Sequence, residues 1–329
     1  MSGGGKTANG GILIVRLGAM GDIIHALPAV ASLKHSYPGW TVTWAVETQW
    51  AALLAGNPFI DRVVALRRDA LMESRRELCA EAYDFAVDFQ GLLKSAVVAS
   101  LARPGRIFGF HQAQTRERAA GLFYSDKTAS PSVHVVDRNL DLAAMAGAGS
   151  VLKIFPIPAG EAEGELPDGD FVLASPLAGW ASKQWPLEYY DTLAARMREE
   201  LGIPLVLNGP PDSGFAHVCG LPGLIHATRR AAAVVGVDSG PMHLAAALGK
   251  PGVAIFGPTD PARNGPYGDS LQVLRNAAAV PDYKRGGERG AYRRGKAIDD
   301  SMRAVSPDAV FEILKSVLCS SSPSAMRTR

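Results

Sequence analysis

Short, mostly apolar runs at residues 12–15, 42–46, 63–66 and 85–87 read as buried strands, because a strand covered on both faces needs no polar alternation. Between them apolar positions recur at helical spacing, as in Ile23, Ile24, Leu27, Val30 and Leu33. Strand and helix alternating in this way predict an α/β fold with a parallel sheet. A second series of strands is expected at 171–174, 204–207, 234–237 and 253–256. Residues 153–170 separate the two series. They carry Pro156, Pro158, Pro167 and three glycines, and they hold neither period, so the stretch reads as an interdomain linker.

Length supports the division. A chain of 329 residues exceeds one average doubly wound core and suits two, at 1–152 and 171–329. Residues 1–10, rich in glycine, and 320–329, rich in serine, are expected to be flexible. The composition, 47% hydrophobic and 20% charged, supplies enough apolar surface for two cores and argues against global disorder. A net charge of +2 is far from that of a dedicated nucleic-acid binder. Cys79, Cys219 and Cys319 are too far apart for metal-ligand spacing or a disulfide framework, which fits a reducing compartment. No apolar run approaches the roughly 18 residues of a membrane span, and the N-terminus lacks a signal peptide's apolar core. The expected location is cytoplasmic, or peripheral on a membrane surface.

Candidate chemistry begins after the first strand, at Arg16-Leu17-Gly18-Ala19-Met20-Gly21-Asp22. Two glycines permit a tight turn, and Asp22 falls at a helix start facing the carboxyl end of the sheet, where α/β proteins bind ligands. The plain alternative is an N-cap aspartate. A nicotinamide-binding fold is a rival, since Glu47 ends the second strand where a ribose-binding acid belongs, but G-x-x-G is a poor dinucleotide fingerprint. The strongest local signal is Gly236-Val237-Asp238-Ser239-Gly240-Pro241-Met242-His243, in which a strand, a cap and a proline at the first helical turn follow in order. Unpaired N–H groups at such a helix start suit a diphosphate. A further strand then ends in Gly257-Pro258-Thr259. A well-capped structural helix would explain the cap alone, not the recurrence of turn residues at one edge.

Asp-Ser-Gly-Pro-Met-His-Leu-Ala-Ala-Ala-Leu-Gly-Lys-Pro at 238–251, followed by Phe-Gly-Pro-Thr-Asp-Pro, resembles the donor-site signature of glycosyltransferase family nine. Gly18-Ala19-Met20-Gly21-Asp22-Ile23-Ile24-His25 resembles the family's other signature. Asp88-Phe89-Gln90-Gly91-Leu92-Leu93-Lys94-Ser95, Arg116-Glu117 ahead of Leu122-Phe123-Tyr124, and Lys183-Gln184-Trp185-Pro186 are most similar to its heptosyltransferase I branch. The resemblance spans both expected domains. It implies a GT-B fold, two Rossmann-like domains facing across a cleft, and an inverting, metal-independent transfer of L-glycero-D-manno-heptose from ADP-heptose to a Kdo sugar on lipid A. It also implies work at the cytoplasmic face of the bacterial inner membrane. A heptosyltransferase II-like acceptor, another nucleotide sugar, and a non-catalytic nucleotide-sugar-binding protein are the alternatives.

Inversion by one displacement needs a carboxylate to take the acceptor's proton, and Asp22 matches the family's base. A metal-free site must meet the charge on departing ADP with fixed donors; Lys183 and the Ser239-Gly240 helix start are the candidates. Asp238 matches the position that binds the donor's heptose hydroxyls, and His243 matches a donor-site histidine. Arg67, Arg68, Lys94 and Arg116 match acceptor-facing basic positions for phosphates and Kdo carboxylates. The chain departs from the pattern in three places. Ala178-Gly179-Trp180 replaces hydroxyl side chains, leaving backbone N–H groups such as that of Gly179 to meet the phosphate. Pro210-Pro211 stands where a ribose-binding acid is expected, with Asp212 the nearest substitute. A basic segment, 284–296, replaces a cysteine-bearing region and is a candidate contact for anionic lipid.

Overall fold

The computed structural model describes residues 9–67, 71–276 and 295–321. The chain divides into two compact units, Met1–Pro158 and Ala159–Arg329.

In the first unit, β1 (Gly11–Val15), β2 (Thr41–Glu47), β3 (Arg62–Leu66), β4 (Phe85–Asp88), β5 (Arg106–Phe110) and β6 (Asp126–Thr128) form one sheet in the order β3-β2-β1-β4-β5-β6. Every pairing is parallel. The central β1 is buried along its whole length, as its unbroken Gly-Ile-Leu-Ile-Val run requires. Helix α1 (Met20–Ser36) packs against α4 (Val135–Met145). Its interior Pro28 removes a donor from the helix ladder, and the Pro28 carbonyl accepts from Ser32 Oγ at 2.7 Å. Helices α2 (Leu71–Leu78) and α3 (Leu93–Leu101) follow β3 and β4.

The second unit repeats the plan. Strands β7 (Val172–Ser175), β8 (Leu205–Gly209), β9 (His217–Val218), β10 (Ala233–Val237), β11 (Gly252–Phe256) and β12 (Leu271–Arg275) lie in the order β12-β11-β10-β7-β8-β9. These pairings are parallel too, and helices α5 (Leu187–Arg196) and α6 (Leu221–Arg230) precede β8 and β10. Their core joins Trp185, Tyr190 and Met197 to Phe311 and Leu314 of the closing helix Pro307–Ser321. Gly252 opens β11 at φ +150, and a Cβ there would stand 2.0 Å from the Val234 carbonyl oxygen, so only glycine lets β11 approach β10 this closely.

In both sheets the first strand of the unit has its next strand on one side and the fourth on the other, so the order in which strands are laid down reverses between β1 and β4 and between β7 and β10. Open α/β sheets bind ligands outside the carboxyl ends of the strands at such a switch point. The expected strands all occur, most of them one residue longer than the apolar runs suggested or shifted by one residue. Four more, β5, β6, β9 and β12, were not anticipated. Residues 146–171 contain no helix or strand, and the unit boundary falls among them. The last helix continues through Ser320 and Ser321, which corrects the expectation that the flexible tail begins at 320.

Candidate active site

The first switch point is built by the loops after β1 and β4. Asp22 lies within the first turn of α1 but is not its cap. Ala19 occupies the N-cap, with no side-chain hydrogen bond, which corrects the capping alternative. The Asp22 carboxylate meets Arg16 instead: Arg16 Nη2 lies 2.5 Å from Asp22 Oδ2, and Arg116 Nη2 lies 3.3 Å from the same oxygen. Arg16 is buried, and its Nη1 donates to the Phe89 carbonyl at 2.5 Å. Burial pushes the Arg16 guanidinium below its usual range and the Asp22 charge acts in the opposite sense.

Beneath this pair the β4 loop fastens the β1 loop. The Gln90 Oε1 accepts from Leu17 N at 2.8 Å. Asp88, wholly buried at the end of β4, accepts from Tyr124 OH at 2.7 Å, Ser95 Oγ at 2.8 Å, Gln90 N at 2.8 Å and Gly91 N at 3.3 Å. Burial raises the Asp88 carboxyl from its ordinary value despite these four donors, and it raises the Tyr124 phenol as well. Tyr124 reaches Asp88 across β5 because residue 109 is glycine; a Cβ there would lie 2.3 Å from the Tyr124 ring.

Of the basic residues expected on this unit, Arg116 joins Asp22, while Lys94 Nζ pairs with Glu47 Oε1 at 2.9 Å. Glu47, considered above as a ribose ligand, is therefore the partner of Lys94. Arg67 follows β3 directly and is exposed, its N–H donating to Ser74 Oγ at 3.2 Å. Arg68 lies outside the described residues, as does most of the basic segment 284–296.

The second switch point lies between the loops after β7 and β10. Lys183 closes a short turn of helix (Ala181–Lys183), and its Nζ is 3.0 Å from Asp238 Oδ2 and 4.9 Å from the Trp180 ring centroid. Asp238 follows β10, and His243 Nε2 stands 3.7 Å from its other oxygen. Lys183 is mostly buried, not a solvated surface lysine. Burial acts to raise the Asp238 carboxyl, yet His243 and the Lys183 charge outweigh it and hold it down at about 2. Ser239 is the N-cap of α7 (Gly240–Ala247), so Asp238 is not the cap; Ser239 makes no side-chain cap bond. Its buried Oγ has no hydrogen-bond partner among the described residues, nor has Thr259 Oγ1 after β11. Each leaves a donor for a bound group. Gly179 is exposed in the β7 loop with open space where a Cβ would stand. Asp212 is exposed in the turn after β8.

Arg16, the Asp88 network and the unpartnered Thr259 hydroxyl escaped the sequence reading. Arg16 carried the clearest signal, since a cation directly after a buried strand and six residues before an aspartate can fold back on it. Asp299 caps the short helix Asp300–Arg303 by accepting from Ser301 N at 2.9 Å. Among the described residues no group of three His, Cys, Asp or Glu side chains could hold a metal ion. No helix among them is long and apolar enough to cross a membrane.

Each of the two doubly wound sheets thus carries an aspartate–cation pair at its switch point. The family model for glycosyltransferase family 9 (heptosyltransferase) matches residues 71–292, and the chain belongs to that family. It is 31% identical to lipopolysaccharide heptosyltransferase 1 of Escherichia coli (strain K12), with 80% of this chain and 93% of that protein covered. It is 30% identical to lipopolysaccharide heptosyltransferase 1 of Pseudomonas aeruginosa, with 79% and 82% covered. Among solved structures, E. coli heptosyltransferase WaaC with ADP matches at a TM-score of 0.72 and 25% identity, over 93% of this chain and 99% of that one. The chain is thus a glycosyltransferase of GT-B fold within the heptosyltransferase family.

Proposed function

We propose that this enzyme moves L-glycero-D-manno-heptose from ADP-heptose to a Kdo sugar of Kdo-lipid A, with inversion and without a metal. The observation that carries the reading is that each unit sets an aspartate against a cation at its own switch point: Asp22 with Arg16 and Asp238 with Lys183. Solved relatives with ADP, and with ADP-2-deoxy-2-fluoro heptose, support a nucleotide-sugar donor.

In this reading the second unit binds the donor. The α7 start at Ser239-Gly240 and the N–H of Gly179 meet the diphosphate, and Ser239 Oγ supplies a hydroxyl that has no other partner among the described residues. Lys183 holds Asp238 before the donor arrives and turns toward the diphosphate as charge develops on the leaving ADP. Asp238 and His243 take the heptose hydroxyls, and Asp212 takes the ribose. The first unit binds the acceptor, with Arg67, Arg68, Lys94 and Arg116 attracting its phosphates and carboxylates. Asp22, held in orientation by Arg16, accepts the proton of the acceptor hydroxyl as that oxygen attacks the anomeric carbon opposite ADP. The bond to ADP breaks as the new glycosidic bond forms, and the configuration inverts.

The test is transfer from ADP-heptose to Kdo-lipid A, against a panel of other nucleotide sugars and against a heptose-bearing acceptor, with and without excess chelator. Transfer to the Kdo sugar alone, unaffected by chelator and with an inverted linkage by NMR, is the expected result. Preference for the heptose-bearing acceptor would reassign the acceptor, and activity lost to chelator and restored by Mg²⁺ or Mn²⁺ would end the metal-independent mechanism.

A further inference from the structure

Helix α3 is built inside out. The face it turns to the sheet is Ser95, Ala96 and Ala99, all buried, whereas Leu93, Val97 and Leu101 are 42%, 37% and 40% exposed. Those three stand at i, i+4 and i+8 and form one stripe along the outer face. Large apolar side chains pointing outward above small buried ones are the reverse of what a water-facing helix selects. The stripe is extended by the turn Arg118–Leu122, which packs against α3 and ends in Leu122, 82% exposed, and Phe123. A contiguous apolar patch of this kind marks an interaction surface.

Charge identifies what covers it. Residues 93–123 carry Lys94, Arg103, Arg106, Arg116 and Arg118 against the single acid Glu117, a net +4, while the whole chain has a net charge of only +2. Arg106 is neutralised by Asp126, Lys94 pairs with Glu47 and Arg116 with Asp22. Arg103 and Arg118 are exposed and have no carboxylate partner among the described residues. Apolar side chains ringed by unneutralised arginines match the interface of an anionic bilayer, where the former enter the acyl boundary and the latter meet phosphate headgroups. The patch is also continuous with the candidate base: Glu117 Oε2 accepts from Leu93 N at 2.6 Å at the start of α3, and the adjacent Arg116 reaches Asp22 at 3.3 Å.

We propose that the outer face of α3 and residues 118–123 form the surface by which this enzyme docks on an anionic phospholipid membrane. Docked there, the protein brings the Asp22 loop to the level of the headgroups, where the sugar of a lipid-anchored acceptor stands; this purpose rests on the functional reading above, whereas the binding itself does not.

The experiment is co-sedimentation of the full chain with vesicles of phosphatidylcholine, alone or with phosphatidylglycerol, at low and high salt. The parent protein is expected to bind the phosphatidylglycerol vesicles, and more weakly in high salt. Val97→Glu with Leu122→Glu is expected to weaken that binding by about tenfold or more. Arg103→Glu with Arg118→Glu is expected to weaken it by about tenfold at low salt and far less at high salt. Both double variants keep the parent's thermal unfolding and its transfer rate to a lipid-free acceptor fragment. A parent that ignores anionic vesicles, or glutamate variants that bind as the parent does, would overturn the proposal. So would gel filtration in which Val97→Glu with Leu122→Glu splits a dimer, since a second copy would then own the patch. If no acceptor is glycosylated while vesicle binding behaves as expected, the functional reading fails and the docking surface stands.

Discussion

Asp22 shares one oxygen between Arg16 and Arg116, so the Asn variant tests two things at once. As the base, its loss should lower turnover by about two to four orders of magnitude with donor affinity unchanged. Because Asp22 is not the helix cap, the capping of α1 is not at stake; the cost in stability comes from Arg16, left buried without its counter-ion, and is expected to be about 1–3 kcal/mol in urea unfolding. An Asp22→Asn protein with most of its activity would remove Asp22 from the chemistry. Asp238 gives a prediction in pH. Its folded value of about 2 lies below the ordinary 3.8, so it adds stability that is fully present above about pH 4 and is lost as pH falls toward 2. Asp238→Asn should therefore lose about 2 kcal/mol relative to the parent at pH 5, and the gap should close by pH 2; a gap independent of pH would mean the carboxylate is not held ionised by Lys183 and His243. At this scale the sequence was informative where a motif held a residue in place, as with Asp22, Lys183 and Asp238. The Asp88 network was less legible, because its Tyr124 donor comes from beyond β5.

At the scale of elements, apolar runs revealed even the half-buried edge strand β3, whereas the strands that were missed lack an unbroken run. β6 is Asp-Lys-Thr on an edge, β9 is two residues long, and β12 alternates Leu-Gln-Val-Leu-Arg on the opposite edge of its sheet. In β5 it is Gly109 that interrupts the apolar run. That glycine is where the element and the site are linked, because the Tyr124 ring occupies the volume a Cβ would take. Gly109→Ala is expected to displace Tyr124, strip Asp88 of one of its four donors and destabilise the protein by about 2–4 kcal/mol. Tyr124→Phe, which removes only the hydroxyl, should cost about 1–2 kcal/mol, so equal effects in thermal unfolding would mean that the clash does not reach the network.

For the whole molecule, the resemblance of motifs in order along the chain made the family legible, while the roles of the basic residues could not be read from the sequence alone. Arg116 and Lys94 were expected to await an acceptor, yet both already hold carboxylates, Asp22 and Glu47. Arg67 is exposed as they are but stands on the loop after β3, apart from the Asp22 loop in sequence, and it therefore provides a test of whether donor and acceptor are divided between the two units. Arg67→Ala should raise the acceptor KM and flatten its dependence on salt while leaving kcat and donor KM near the parent values, because a screened exposed charge steers and holds substrate without touching the reacting atoms. Arg116→Ala should raise acceptor KM and lower kcat together, since it also removes a charge from beside Asp22, the proposed base. Lys183→Ala should lower kcat by more than it weakens the donor, because in the proposed mechanism its charge counts most as ADP departs. Steady-state kinetics with one substrate varied at a time, at two ionic strengths, separates these outcomes. If Lys183→Ala changed only the acceptor KM, or Arg67→Ala only the donor KM, the assignment of substrates to units would have to be exchanged.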